Sequence, residues 1–271
     1  MNVMRRYLLL ALAAVCCLCA CRNEHEIGIV AHRGYWNCEE GGMSHNSIAS
    51  LRAACEKGYW GTEFDVKMTA DSQLVVFHDK EIGGKVVTAC TLEELALDTL
   101  PNGEHIPTLA EYLEVAKEYP EAKLVFELKK HDSDGLEDKA VDLSVEELKK
   151  AGMFDPDRII FISFSLRQCA RFAAAAPGFT VQYLDSDHSF EEMDSVKVNG
   201  IDMHYTTFLE DPSWNEGARK RGYGVNVWTV DKEEDIRACI AAGVDMITTN
   251  EPELVRRLLA ETPAVREKSA N

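Results

Sequence analysis

Ile27-Gly28-Ile29-Val30-Ala31-His32-Arg33-Gly34 is an apolar run that ends in an imidazole, a guanidinium and a glycine. Three later runs end in the same manner, on Glu63-Phe64-Asp65, on Phe77-His78-Asp79 and on Phe126-Glu127-Leu128-Lys129. Strands that finish in polar side chains gather them at one rim of a parallel barrel, the rim where such barrels carry their sites. Alternation along a strand puts Glu63 and Asp65 on one side, and Glu127 and Lys129 on one side of another strand.

The pattern continues along the chain. Strand-like runs near 27–32, 61–66, 123–128, 158–163, 179–184, 200–204, 225–230 and 245–248 alternate with helical patterns. Those patterns lie near 46–57, 107–118, 139–151, 166–176, 213–221, 232–242 and 252–260. Asp211, Asp231 and Glu251 read as acids at helix starts, and Pro107, Pro212 and Pro252 as first-turn prolines. Strand–helix alternation with right-handed crossovers predicts a parallel sheet, and eight strands predict its closure. The expected fold is α/β, a distorted (β/α)8 TIM barrel. An open doubly wound sheet is the alternative, but no Gly-x-Gly-x-x-Gly opens a helix here.

One strand is supernumerary. Residues 74–78 follow residues 66–68 too closely for a parallel crossover, which takes a dozen residues or more. A β-hairpin excursion after the second strand is therefore expected, returning His78 to the level of Asp65. Residues 80–106 then read as an irregular excursion.

The ends and the charge narrow the class. Residues 1–6 are short and basic, and residues 7–20 are almost wholly apolar, too short to span a membrane comfortably. Leu18-Cys19-Ala20-Cys21 resembles a bacterial lipoprotein box. Residues 1–21 are thus expected to be a signal peptide with Cys21 lipidated, and residues 22–271 a single barrel domain. An ordinary cleaved leader is the alternative. Arg22, rather than Asp, after the cysteine favours the outer membrane and periplasm of a Gram-negative host. With 46 acidic against 29 basic residues the formal charge is −17. No nucleic-acid partner is expected, and any phosphate must be held by local cations. Beyond the leader, Cys38, Cys55, Cys90, Cys169 and Cys239 are odd in number and show no C-x-x-C spacing, which argues against a zinc cluster or an obligatory disulfide framework and for buried thiols.

Glu63, Asp65 and Glu127 converging without thiolates suit a hard divalent ion, Ca2+ or Mg2+, rather than zinc. Taken singly, each acid reads better as a solvated strand end; it is the four strand-end clusters of the same polarity that favour a site. His32 and His78 titrate near neutrality and can act as general base and general acid. Arg33, Lys129 and the ion would offset charge on a phosphate ester. His25, His105, His131 and His188 read as structural, and His204, ending a strand before Tyr205, as a candidate pocket residue.

These motifs, with Ile106-Pro107-Thr108-Leu109, Ile162-Ser163-Phe164, Val227-Trp228-Thr229-Val230 and Ile247-Thr248-Thr249-Asn250-Glu251-Pro252, resemble the glycerophosphodiester phosphodiesterase family over roughly residues 27–260. The resemblance implies cleavage of a small glycerophosphodiester, such as glycerophosphocholine or glycerophosphoethanolamine, to glycerol 3-phosphate and an alcohol. It implies His32 and His78 as the catalytic pair and Glu63, Asp65 and Glu127 as ligands of Ca2+ or Mg2+. Arg33 and Lys129 would contact the phosphate. Trp228 would wall the glycerol or alcohol, unless it simply fills the barrel. Ser44-His45-Asn46-Ser47 stands where members carry Pro-Glu-Asn-Thr, so His45 replaces a glutamate. That change is expected to weaken metal binding or alter selectivity, while Asn46 still hydrogen-bonds the glycerol or a ligand.

Competing readings are a lysophospholipid or phosphoinositide diesterase on the same barrel, and a lipoprotein that binds a polyol phosphate without turning it over. No Gly-x-Ser-x-Gly elbow or Walker loop is present. Paired acids of a glycosidase would not call for His32, His78, Arg33 and Lys129 together.

Overall fold

Apolar alternation along the first strand sends Ile27, Ile29 and Ala31 outward and Val30 inward. The same division recurs around the barrel of the computed structural model, which describes residues 25–263 and 265–269. The leader, the lipoprotein box and Cys21 lie outside the described residues.

The strands are β1 (His25–Ala31), β2 (Gly61–Met68), β3 (Leu74–Val76), β4 (Glu81–Ile82), β5 (Lys85–Val86), β6 (Lys123–Leu128), β7 (Ile159–Ser163), β8 (Thr180–Tyr183), β9 (Gly200–His204), β10 (Gly224–Trp228), β11 (Met246–Thr249) and β12 (Val265–Glu267). The helices are α1 (Ile48–Glu56), α2 (Leu92–Leu95), α3 (Leu109–Ala116), α4 (Asp134–Lys150), α5 (Leu166–Ala175), α6 (Phe190–Ser195), α7 (Tyr205–Glu210), α8 (Ser213–Arg221), α9 (Glu233–Ala242) and α10 (Pro252–Ala260). Strands β1, β2 and β6 to β11 pair in parallel, and β1 pairs with both β2 and β11, which closes an eight-stranded barrel. The expected TIM-type fold is therefore present.

Two cores hold it. Outside the barrel Phe64, Phe126, Phe161 and Phe172 are fully buried, with Phe161 and Phe172 stacked at 4.1 Å. Each contributes about 1.5–3 kcal/mol by leaving water. Inside, Val30, Val125, Ile160, Ile162, Leu184 and Met246 fill the lower barrel. Trp60 packs against this inner cluster, and Gly28 leaves room for it: a Cβ there would lie 2.7 Å from the indole.

The hairpin is present, with Val66 opposite Val76 and Met68 opposite Leu74. Its register differs by one residue from the expectation. The Phe77 N–H donates to the Asp65 carbonyl at 2.9 Å, so Phe77 faces Asp65 and His78 lies one residue further on. The excursion after it is ordered rather than irregular. The β4–β5 hairpin, a 3-10 turn at Val87–Ala89 and α2 close over Val75, Val87, Leu95, Leu100 and Ile106. Its elements are too short to show periodicity in sequence, and the same holds for α6 and α7.

Helix starts differ in detail. Only Pro252 among the three prolines occupies a first turn; Pro212 is the N-cap of α8, and Pro107 precedes the N-cap Thr108. Asp231 caps nothing, because Lys232 is the N-cap of α9. Asp231 bonds elsewhere, as described below. The five cysteines of the described residues are free thiols, with Cys55, Cys169 and Cys239 on helices.

Candidate active site

The acids come together first. β2 and β6 run in register with Asp65 beside Glu127, and Glu63 lies two residues before Asp65 on the same face. One carboxylate oxygen from each of Glu63, Asp65 and Glu127 lies within 4.8 Å of the others, and all three residues are buried. Lys129 Nζ donates to Asp65 Oδ1 at 2.7 Å and to Glu127 Oε1 at 2.5 Å. Asn46 Nδ2 donates to Asp65 Oδ2 at 2.7 Å, and Arg33 Nε stands 3.5 Å from the same oxygen.

Environment separates the three carboxyls. Burial opposes ionisation of Asp65, but Lys129, His78 and Arg33 outweigh it and hold the group well below the usual carboxylate range. Burial pushes Glu127 up to about 7, with Lys129 opposing. Burial, then Asp65 and Glu127, drive Glu63 well above its usual range. Glu63 Oε2 accepts the Arg33 backbone N–H at 2.8 Å, whereas Oε1 has no partner. An all-oxygen trio, one oxygen orphaned, with two cations against three acids, fits a hard divalent ion.

The first histidine is fixed by the turn after β1. Arg33 (φ 58°) and Gly34 (φ 78°) both have left-handed backbone, and a Cβ at Gly34 would fall 2.4 Å from Ser50 Oγ. Ser50 is held in turn by its capping box with Ser47 at the start of α1. This sharp turn sets His32 at the rim.

Asn250 Oδ1 lies 2.9 Å from both His32 Nδ1 and Trp36 Nε1. An indole N–H only donates, so this amide atom is the oxygen and His32 Nδ1 must carry a hydrogen. The tautomer follows: His32 Nε2 keeps its lone pair, 4.0 Å from Glu63 Oε2. Asn250 is anchored by Asp231, whose Oδ2 accepts from Asn250 Nδ2 and whose Oδ1 accepts from the Asn250 backbone N–H, both at 2.8 Å. Burial first, then Arg33, lowers His32 to about 4. The site roles assigned from sequence left out Asp231, Asn250 and Trp36. Their signal was positional: Asp231, Asn250 and His32 all follow the ends of the adjacent strands β10, β11 and β1.

His78, just beyond β3, lies at the mouth and is about one third exposed. Its Nδ1 pairs with Asp79 Oδ1 at 2.9 Å. Burial lowers its pKa, while Asp65 and Asp79 oppose the shift. His32, His78, Glu63, Glu127, Arg33 and Lys129 line one side of a chamber of about 120 Å3. Trp228, with Phe164, Leu184 and Ile162, forms the facing apolar wall. Phe164 and His204 each meet the Trp228 ring edge-on, at 5.5 and 5.3 Å, so His204 backs the wall without lining the chamber. Asp202, absent from the residues singled out in sequence, lines it too; burial pushes its carboxyl well above the carboxylate range.

Two residues stand to one side. His45 lines an adjoining groove of about 430 Å3 with His78, packing edge-on to Trp36 at 4.0 Å. Burial, then Arg33, lowers its pKa. Asn46 also borders that groove, but its amide holds Asp65, donating to the carboxylate and accepting the Asp65 N–H at 3.1 Å. His25, His105, His131 and His188 make contacts away from the chamber, for example His25 Nε2 with the Val244 carbonyl at 2.7 Å.

The family model described as the glycerophosphoryl diester phosphodiesterase family matches residues 32–254. The chain belongs to this family. A glycerophosphodiester phosphodiesterase of Caldanaerobacter subterraneus subsp. tengcongensis is 30% identical over 246 residues, which is 85% of this chain and 97% of the relative. The crystal structure of a glycerophosphodiester phosphodiesterase from Parabacteroides distasonis is similar with a TM-score of 0.84 at 39% identity, over 88% of this chain and 99% of that one. A phosphodiesterase of Oleispira antarctica, solved with the product sn-glycerol-3-phosphate, is similar at 0.75 and 25% identity, over 88% and 99%. As a family member, the chain is a phosphodiesterase-type hydrolase whose general reaction is hydrolysis of glycerophosphodiesters.

Proposed function

We propose that the chain hydrolyses small, deacylated glycerophosphodiesters, such as glycerophosphocholine or glycerophosphoethanolamine, to glycerol 3-phosphate and an alcohol. The observation that carries this reading is the His32 tautomer: Asn250 leaves the Nε2 lone pair in the chamber that His78, Glu63 and Glu127 also line. His32 Nε2 takes the proton of the attacking hydroxyl or water. As the phosphorus–oxygen bond to the alcohol breaks, His78 gives its proton to the departing alkoxide. Their surroundings set this division. Burial lowers both imidazoles, His32 to about 4, but at His78 Asp65 and Asp79 oppose the shift and so favour its charged form more than anything does at His32.

Arg33 and Lys129 offset charge on the non-bridging oxygens. Glu63, Asp65 and Glu127 would hold Ca2+ or Mg2+, and such an ion, when bound, supplies Lewis-acid withdrawal of charge from a phosphoryl oxygen. A chamber of about 120 Å3 disfavours an acylated glycerol arm and so a lysophospholipid substrate. Export as a lipoprotein anchored through Cys21, in the outer membrane facing the periplasm, completes the proposal. Loss of membrane association in Cys21→Ala tests that part.

The deciding assay is glycerol 3-phosphate release from both diesters by the full-length chain in detergent, with Ca2+, Mg2+ or chelator, beside His32→Ala. Metal-dependent release that His32→Ala abolishes is expected. Binding of glycerol 3-phosphate without release under any metal would replace the enzyme with a polyol-phosphate-binding lipoprotein.

A further inference from the structure

Beneath the two imidazoles lies Asp202 on β9. The residue is 1% exposed and its Oδ1 has no hydrogen-bond partner. Asn226, whose Nδ2 donates to Thr248 Oγ1 at 3.0 Å, also favours the ionised carboxyl, but it leaves Oδ1 unpaired. A buried polar atom left unpaired lowers stability, and its persistence calls for an occupant that pairs with it. The chamber's lining there is mixed: Asp202 lies between the apolar Leu184 and Trp228, with Ile162 one strand beyond the first and Thr248 one strand beyond the second. The volume, about 120 Å3, is that of about four waters at about 30 Å3 each. A three-carbon polyol matches this mixed lining, with a hydroxyl for Asp202 and carbon-bound hydrogens for its apolar neighbours.

His78 settles which arm of a diester enters. It lines both this chamber and the outer groove of about 430 Å3. The bond that breaks therefore lies beside His78, with the departing alcohol in the open groove and the retained glycerol phosphate in the chamber.

We propose that Asp202 is a specificity-determining residue, its carboxyl hydrogen-bonding a hydroxyl of the glycerol arm at the chamber floor. The proposal rests on the functional reading above and adds to it that the protein recognises the polyol as well as the phosphate. A site built to bond a hydroxyl rejects an analogue that lacks it, because its own buried group is then left unpaired.

The test is calorimetric binding to the full-length protein in detergent with Ca2+, comparing glycerol 3-phosphate with propyl phosphate, which lacks both hydroxyls. Wild type is expected to bind glycerol 3-phosphate at least about tenfold more tightly. Asp202→Leu is expected to lose that preference while binding propyl phosphate as before. Asp202→Ala, which only removes atoms, serves if leucine does not fit. Equal affinities in wild type, or a preference that survives both substitutions, would overturn the role of Asp202 alone. A wild-type protein that binds propyl phosphate and rejects glycerol 3-phosphate would overturn the functional reading with it.

Discussion

Replacing Asn250 with leucine removes the tether of His32 without touching the chamber, because Asn250 does not line it. Two donors lose their acceptor, His32 Nδ1 and Trp36 Nε1, each 2.9 Å from Asn250 Oδ1 in the wild type. Both are only part-buried, so the loss of stability is about 1–3 kcal/mol, the usual cost of one unpaired buried group. In a domain of this size that lowers Tm by about 2–12 °C. The larger effect is on turnover. Freed from Asn250, the imidazole can place its hydrogen on Nε2, where it no longer accepts a proton. Losing an oriented general base costs about 10²- to 10⁴-fold. The expectation is a kcat at least about 100-fold lower with KM near the wild-type value, read by glycerol 3-phosphate release. Trp36→Phe removes only the second donor and leaves Asn250 on Asp231, so its kcat should stay close to wild type. A kcat in Asn250→Leu within about threefold of wild type would refute the tautomer argument.

Three further outcomes follow from the same geometry. Saturating Ca2+ or Mg2+ at about 100 Kd should stabilise the protein by about 2.7 kcal/mol and raise Tm by roughly 5–11 °C. Glu63→Gln should remove most of that rise, and a Tm indifferent to chelator in wild type would count against the metal site. Asp202 has a raised folded-state pKa, so its contribution to stability is complete below its unfolded pKa, about 3.9, and is lost as pH rises toward the folded value. Asp202→Asn should therefore exceed wild type in Tm by a margin that grows from pH 4 to pH 8 (about those limits); a constant margin would contradict the buried, protonated carboxyl. His45→Glu adds an acid beside His78 and Arg33, so the alkaline limb of kcat/KM should move to higher pH as His78 holds its proton longer. An unmoved limb would mark position 45 as peripheral to the acid.

The barrel was legible because every strand carries its own evidence. Ile29, Phe64, Phe126 and Phe161 point outward from strands whose inward neighbours are Val30, Glu63, Val125 and Ile160. That alternation and the strand-end charges are local properties, readable residue by residue. What escaped was set by neighbours distant in sequence. Asp231 looks like a helix-start acid because it stands before Lys232 and Glu233, yet its carboxylate serves Asn250, brought near by the parallel neighbours β10 and β11. Asp202 sits in an ordinary apolar strand, and only closure of the barrel reveals that its carboxyl is enclosed with Oδ1 unpaired. The hairpin was legible from its short loop, but its register was not, since one residue either way leaves the loop length plausible.

The two imidazoles owe their different characters to the kinds of element that carry them. His32 follows a strand locked on both sides by β2 and β11, and its Nδ1 is tied through Asn250 to Asp231. Enclosure removes water from the ring and keeps it neutral, as a base must be. His78 follows a three-residue antiparallel strand bonded to β2 alone among the barrel strands, and it stays partly exposed with Asp79 on its Nδ1. Burial still lowers its pKa, but Asp65 and Asp79 oppose that shift, so the ring is held less firmly neutral than His32. A hairpin is the device that allows this. A ninth parallel strand would have brought a covering helix and buried His78 as deeply as His32, whereas an antiparallel return reaches the rim from outside the closed barrel. The supernumerary strand that breaks the eightfold pattern is therefore what gives the site one enclosed and one partly exposed histidine.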